Sequence, residues 1–330
     1  MINNKANELF YTLKSINSSA FATTDNYNQY FLDHHLGHRL FFSIQNSAHI
    51  LYESVKLCNK PVNEINAIDY GAGLGTLFML GGMLGFKRFD YNDHLPEWKD
   101  TAVVVCNKAG SVITDFVIGD INAVSSFSKA KDFRYDIILS RNVIEHIYSL
   151  QEFYEVIFAH NPKTVIYSTT TANYHNPAMH FYHRHIHKKN ERLYYKPQRI
   201  NEIQKLHPSI ETNKLIQLVE LTRGKGQHDF SEAVNNFIGN MTVNPDSSLR
   251  TNTCDCITGV WCEHLLTKKE YEIITAGAGF KMLYTGGYWD THYSSTLKNL
   301  AGKFFNAAIS LLGKNKAVLL SPFVNVVAYN

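Results

Sequence analysis

The chain has 330 residues, of which 45% are hydrophobic, 13% aromatic and 18% charged, with a net charge of +3. A length of this order holds one large domain or two of ~100–200 residues each, and it buries enough surface that no metal or disulfide is required for size alone. The 32 Lys and Arg nearly balance the 29 Asp and Glu, which lacks the basic footprint of a nucleic-acid binder.

The unusual features are 16 His and the aromatic residues, which suit either a ring-lined pocket or a plain core. The five cysteines, Cys58, Cys106, Cys254, Cys256 and Cys262, are odd in number and sparse, unlike a disulfide framework. The first residues, MINNKANELFYTLKSINSS, lack the apolar core of a signal peptide. The most apolar run, Leu77 to Phe86, carries three glycines and falls short of the ~20 residues of a membrane span. The expectation is a cytoplasmic protein with no membrane span.

In chain order, residues 1–64 read as helical, with Leu40, Phe41, Ile44, Ala48, Leu51 and Val55 recurring at spacings of three and four. Pro61 and Asn63 close that stretch. From Ile65 the runs INAIDY, FKRFDYND, DFVIGD, YDIILS and TVIYST read as strands alternating with helices, which builds a parallel sheet. Residues from Thr170 to about Glu263 are polar, rich in His and Tyr, and read as an insertion. LTKKEYEIITAGAGF is a predicted helix with Thr267 as N-cap and Gly277 or Gly279 near its end. KMLYTGGYW and FVNVVAY are predicted strands, with a helix from about Leu297 to Leu312 between them. The expected division is 1–64, an N-terminal helical lid; 65–170, a Rossmann-like core of five strands; 171–262, an acceptor-binding insertion; and 263–330, the last two strands of the core.

The first strand runs into Gly71-Ala72-Gly73-Leu74-Gly75, with Asp69 two residues before it. Glycines there let a backbone approach a ligand and expose helix N-terminal N–H groups. Thr76 stands where the dinucleotide fingerprint G-x-G-x-x-G carries its third glycine, and a tight strand-to-helix connection is the plain structural alternative.

Four segments in this order resemble the class I S-adenosylmethionine-dependent methyltransferases. Their first motif, an acid, a spacer and G-x-G-x-G, is Asp69-Tyr70-Gly71-Ala72-Gly73-Leu74-Gly75 here. The resemblance makes Asp93, in GFKRFDYNDHLPEW, the acid at the end of the second strand that grips the ribose diol, with Asp90 the competitor. In FVIGDIN it makes Asp120 the partner of the adenine amino group and Ile121 the residue whose backbone meets the ring. In YDIILSRNVIEHIYSLQEF it places Ser140, Arg141 and Asn142 beside the methionine part, followed by a helix carrying Glu145-His146. These motifs cover about residues 65–170. The resemblance implies S-adenosyl-L-methionine as cofactor and a seven-stranded, mostly parallel, doubly wound α/β sheet with an antiparallel C-terminal strand.

Methyl transfer from a sulfonium is an in-line displacement that asks mainly for alignment, with a base where the acceptor must lose a proton. His146 is the candidate base by position, with His180 and His183 as rivals; packing or capping roles are the alternative for each. His183, His185 and His187 alternate as on a strand, whereas His180 and His183 would share a helical face. Cys254, Cys256, Cys262 and His264 could form a zinc set, but C-x-C and C-x-H are uncommon spacings, and buried thiols beside Trp261 are the competing reading; no metal is expected. His34, His35, His38 and Arg39 precede the helix that leads into the first strand, where Arg39 and, from the insertion, Trp261 are expected on the acceptor side.

The expected activity is therefore methyl transfer to a small-molecule or glycan-like acceptor, at oxygen, by a monomer or homodimer, without a nucleic-acid partner. Its alternatives are a catalytically silent cofactor-binding module and an NAD-dependent oxidoreductase.

Overall fold

The computed structural model describes residues 1–15, 39–243 and 251–330, apart from the side chains at 314 and 315. The chain folds into two compact units. The first comprises Met1–Val143, Gln151–Thr170 and Lys269–Asn330, and the second Ile144–Leu150 and Thr171–Lys268. No helix among the described residues is long and apolar enough to cross a membrane.

The first unit opens with α1 (Ile2–Ser15) and α2 (Leu40–Cys58). The predicted stripe of α2 is buried at Leu40, Ile44, Ala48 and Leu51, and Asn59 in the left-handed conformation ends the helix. Five strands alternating with four helices follow: β1 (Asn66–Tyr70), α3 (Thr76–Gly81), β2 (Arg88–Asp93), α4 (Pro96–Ala109), β3 (Phe116–Ile118), α5 (Ile121–Ala130), β4 (Ile137–Arg141), α6 (Leu150–His160) and β5 (Val165–Thr170). Pro96 at the first turn of α4 and left-handed Gly110 after its last turn give that helix its start and stop.

The seven strands lie in the order β3-β2-β1-β4-β5-β7-β6, with β6 (Lys281–Gly286) and β7 (Val324–Tyr329) contributed by the end of the chain. β1 pairs in parallel with both β2 and β4, whereas β7 runs antiparallel to β5 and to β6. This is the mostly parallel Rossmann-like sheet expected, with the antiparallel strand at the C-terminus. β5 is buried along its whole length and β4 along all but its last residue, the burial that a central parallel strand covered on both faces requires. Successive connections leave β1 toward β2 and β3 on one side and continue from β4 to β5 on the other. The reversal falls at β1, and a crevice forms outside the carboxyl ends of strands at such a point.

The second unit is largely helical: α7 (Pro177–Asn190), a π-helical turn (Glu191–Tyr195), α8 (Lys196–Leu206), α9 (Thr212–Leu221) and α10 (Gln227–Ile238). A last helix, α11 (Lys268–Gly277), begins where this unit ends, and α12 (Thr296–Ala317) lies between β6 and β7 in sequence. The strand-like alternation of His183, His185 and His187 is overturned, because all three sit on α7. Asn176 starts that helix by accepting from the N–H groups of Ala178 and Met179, with Pro177 in its first turn. The buried face therefore carries His183 and His187, four residues apart, while His185 is exposed.

Within this unit Arg199 is fully buried and donates to both carboxylate oxygens of Glu191, which also accepts from the Thr253 hydroxyl at 2.7 Å. Burial alone would raise the Glu191 pKa, but the hydrogen bonds and charge of Arg199, with Thr253, hold it below the usual range. Its contribution to stability is present at neutral pH and is lost as pH falls through that lowered pKa. Removing one partner strands a buried charge, so Arg199→Ala should lower stability by ~3–5 kcal/mol in urea denaturation, while Arg199→Met with Glu191→Leu should restore most of the loss.

Candidate functional site

The site grows from the turn after β1. Gly71 (φ +68°) and Gly73 (φ +51°) both adopt the left-handed conformation, which L side chains rarely enter. A Cβ at Gly71 would also come within 2.7 Å of the Val143 methyls, whereas Gly73 faces open space. The peptide groups of Gly73 are gripped by β2 and by the residue closing it: Tyr91 donates its hydroxyl to the Gly73 carbonyl at 3.0 Å, and Asp93 Oδ2 accepts from the Gly73 N–H at 2.9 Å. Asp93 Oδ1 accepts from the Leu95 N–H at 3.0 Å, and Ala72 N–H donates to the Asn92 carbonyl at 2.8 Å.

Asp93, 5% exposed, is thus first a clamp on the glycine turn. The Gly73 and Leu95 N–H groups take two of its roughly four acceptor positions, and His94 Nδ1 lies 3.4 Å from Oδ1. Asp90 is excluded as the ribose acid, since its carboxylate is buried against Arg88, the Tyr135 hydroxyl and the Asp115 N–H. Asn92 donates to the carbonyls of Val117 and Gly119 and so fixes the end of β3. At that end Asp120 is exposed, and one oxygen, Oδ1, caps α5 by accepting from the N–H groups of Asn122 and Ala123. Ile121 is buried, with its backbone N–H turned to the Tyr70 hydroxyl. The pair expected on the adenine side therefore has local structural duties.

The predicted methionine-side residues divide. Arg141 Nη1 donates to the Ser43 carbonyl at 3.0 Å and to the hydroxyls of Ser47 and Thr76, each at 3.2 Å. Thr76 Oγ1 lies 2.9 Å from Ser43 Oγ and 2.8 Å from Ser47 Oγ. The residue that takes the place of the third glycine is therefore the hub of a hydroxyl ring around a guanidinium. Asn142 takes φ +57° and donates its N–H to Thr169 at 2.8 Å, a conformation that Asn tolerates better than most residues. Ser140 is 1% exposed and donates to Ser168 Oγ at 2.8 Å, between β4 and β5.

Asp69 is 2% exposed, and its Oδ2 has no hydrogen-bond partner among the described residues. Burial raises its pKa to about 8, against the opposing pull of the Arg141 charge and the Phe78 N–H. Arg39 is exposed at the start of α2, with its charge acting on Tyr293. His34, His35 and His38, with the rest of residues 16–38 of the predicted lid, lie outside the described residues. A separate groove of about 690 Å³ in this unit is lined by α1, α2 and Tyr288 and includes none of the predicted cofactor residues.

In the second unit, His146 Nδ1 lies 2.8 Å from the Trp261 carbonyl. His183 is 1% exposed, with Nε2 2.8 Å from the Thr171 carbonyl. His180 packs its ring edge-on to Tyr174 at 4.6 Å. Trp261, expected on the acceptor side, is only 5% exposed, stacks on His264 at 3.9 Å and donates Nε1–H to the Tyr148 carbonyl, so it belongs to the interior of its unit. Cys254, Cys256 and Cys262 are free and buried. Burial pushes the thiols of Cys254 and Cys256 up to about 12 and about 11, which keeps them protonated. Among the described residues, these cysteines and His264 do not bring three ligand atoms together.

Tyr91, Asn92, Ser43, Ser47 and Glu263 were not among the residues singled out from the sequence. The Ser43/Ser47 pair at i, i+4 on a predicted helix was the one visible signal.

No protein-family model and no curated protein matches the chain. Solved structures are similar in outline. A S-adenosylmethionine-dependent methyltransferase from Clostridium acetobutylicum is 10% identical with a TM-score of 0.47, over 92% of this chain and 99% of that one. One from Archaeoglobus fulgidus is 13% identical at 0.42, over 93% and 100%. The plantazolicin methyltransferase BpumL, in complex with SAH, is 13% identical at 0.43, over 100% and 99%. At this distance the likenesses carry nothing about activity, which has to be argued from the residues of the site.

The Asp69 carboxyl gives a first test. Folded, it keeps its proton to about pH 8, whereas its ordinary pKa of 3.8 makes the unfolded chain release it near that value. The unfolded state then binds fewer protons between these limits, so the stability present below ~pH 4 declines as pH rises toward ~8. Urea denaturation across that range should show the decline in the native chain and a flatter profile in Asp69→Asn.

Proposed function

We propose that this chain is a S-adenosylmethionine-dependent methyltransferase that methylates a small-molecule or sugar-like acceptor at oxygen. One observation carries the reading. At the switch point of the sheet, the Gly73 peptide groups are clamped by Tyr91 and Asp93 under open space. Asp93 there keeps acceptor capacity for a ribose diol, while the Asp120 carboxylate and the Ile121 backbone stand at the end of the neighbouring strand for an adenine. Arg141, in its ring of hydroxyls, supplies a fixed positive charge for a carboxylate, and the orphan oxygen of buried Asp69 supplies an acceptor for an ammonium.

The sheet also separates this reading from a nicotinamide enzyme. The dinucleotide fold runs 3-2-1-4-5-6, whereas here antiparallel β7 lies between β5 and β6, and Thr76 blocks the third glycine of the fingerprint. The bound cofactor supplies the methyl group as a sulfonium, whose charge is discharged in transfer. The protein is left to align the two partners and exclude water, which accounts for ~7–11 kcal/mol in well-oriented reactions. The proton of a hydroxyl acceptor falls to a histidine, His146, His180 or His183. The near-balanced charge supports a small acceptor over nucleic acid.

Calorimetric titration with S-adenosylmethionine tests the ribose assignment. Two hydrogen bonds to a carboxylate, each worth ~1.5–3 kcal/mol, make Asp93→Ala weaken binding by more than ~100-fold; undiminished affinity in that variant would remove Asp93 from the site. An acceptor screen with methyl-labelled cofactor over sugars, nucleotide sugars, phenols and amino compounds tests the oxygen preference. Label confined to amines would contradict it.

A further inference from the structure

The second unit brings one imidazole and two carboxylates together, with a second imidazole beside one of the carboxylates. Glu145, His146 and Glu263 each offer a ligand atom within 4.8 Å of the others. His183 joins them from α7, with Nδ1 3.8 Å from Glu263 Oε2.

The hydrogen bonds fix what each ring presents. A carbonyl only accepts, so His146 Nδ1, against the Trp261 carbonyl, and His183 Nε2, against the Thr171 carbonyl, both carry protons. In the neutral rings the lone pairs are then on His146 Nε2 and His183 Nδ1. A ring N–H donating to a carbonyl while the other nitrogen is kept open is the outer-shell arrangement of metal-bound histidine.

His183 Nδ1 and Glu263 Oε2 consequently face each other as two acceptors. Neither has a hydrogen-bond partner among the described residues, and His183 is 99% buried, being 1% exposed. Two buried lone pairs turned toward one another are unfavourable, and a cation between them satisfies both.

The surrounding backbone is pinned for the purpose. His187, one turn after His183, holds the Glu263 carbonyl through Nε2 at 2.8 Å, and the His264 N–H donates to the Glu145 carbonyl at 2.8 Å.

We infer that His146, His183, Glu145 and Glu263 form a binding site for one divalent transition-metal ion. Two nitrogen and two oxygen ligands suit Mn²⁺, Fe²⁺ or Zn²⁺ better than the all-oxygen preference of Mg²⁺ or Ca²⁺. Ligand atoms ~2.0–2.2 Å from a shared ion stand ~3 Å or slightly more apart, so the 3.8 Å pair closes with a shift of several tenths of an ångström. This set is distinct from the cysteines of the same unit. A histidine that ligates an ion has no lone pair for an acceptor proton, so the site withdraws His146 and His183 as bases and leaves His180. That narrowing rests on the methyltransferase reading; binding of the ion does not.

The experiment reads binding alone. Full-length protein without a His tag is stripped with chelator, dialysed against Mn²⁺ or Zn²⁺, and its metal content measured, with free Mn²⁺ followed by electron paramagnetic resonance. The expected result is about one equivalent per chain with a rise in melting temperature on loading. Glu263→Gln, which preserves size, and His183→Gln should each weaken binding at least ~10-fold, while Cys254→Ser leaves it unchanged. Should the histidine variant fail to fold, native stoichiometry and Glu263→Gln decide the matter. Less than about a tenth of an equivalent in the native chain, or unaltered affinity in Glu263→Gln, overturns the inference.

Discussion

The grip of β2 on Gly73 is the constraint on which the candidate site depends. A left-handed glycine turn is permissive by nature, and its peptides point usefully only if something outside the turn fixes them. Tyr91 and Asp93 do this from alternate positions of one strand, one holding the carbonyl and the other the N–H. Their common strand is in parallel register with β1, with Asp69 opposite Tyr91 and Tyr70 opposite Asn92. Sheet pairing therefore sets the turn, and the turn sets the start of α3, where Thr76 anchors the Arg141 guanidinium.

That arrangement places opposite charges where one is held and the other withheld. Arg141 stays charged and is spread over one carbonyl and two hydroxyls, whereas burial keeps Asp69 protonated up to about pH 8. A carboxyl that is neutral beside a fixed cation is poised to ionise when an additional positive group arrives. In the second unit the same physics runs differently: Glu191 is held below the usual carboxylate range because Arg199 is bonded to it directly.

Much of the first unit was legible in the sequence because its signals are local. Each predicted strand from INAIDY to FVNVVAY is found, and the acid-spacer-glycine motif sits at the reversal of strand order. What escaped depends on partners distant in sequence. Thr76 read as a departure from a fingerprint, yet its role comes from Ser43, Ser47 and Arg141, up to 65 residues away. Nothing local to Ser140 shows that its hydroxyl meets Ser168 on β5. The histidines of α7 read ambiguously, since both periodicities fit NYHNPAMHFYHRHIHKKN; the Asn176-Pro177 pair was the overlooked helix start. Glu263 gave no signal, because it acquires chemistry only against Glu145, His146 and His183.

Central to the proposed activity is the expectation that the clamped glycine turn takes an adenosyl amino acid and not a dinucleotide. Equilibrium titration of the native chain with S-adenosylhomocysteine and, separately, with NADH tests it most directly. Saturable binding of about one equivalent of S-adenosylhomocysteine and none of NADH is the predicted result. Saturable binding of NADH with no uptake of S-adenosylhomocysteine would contradict it.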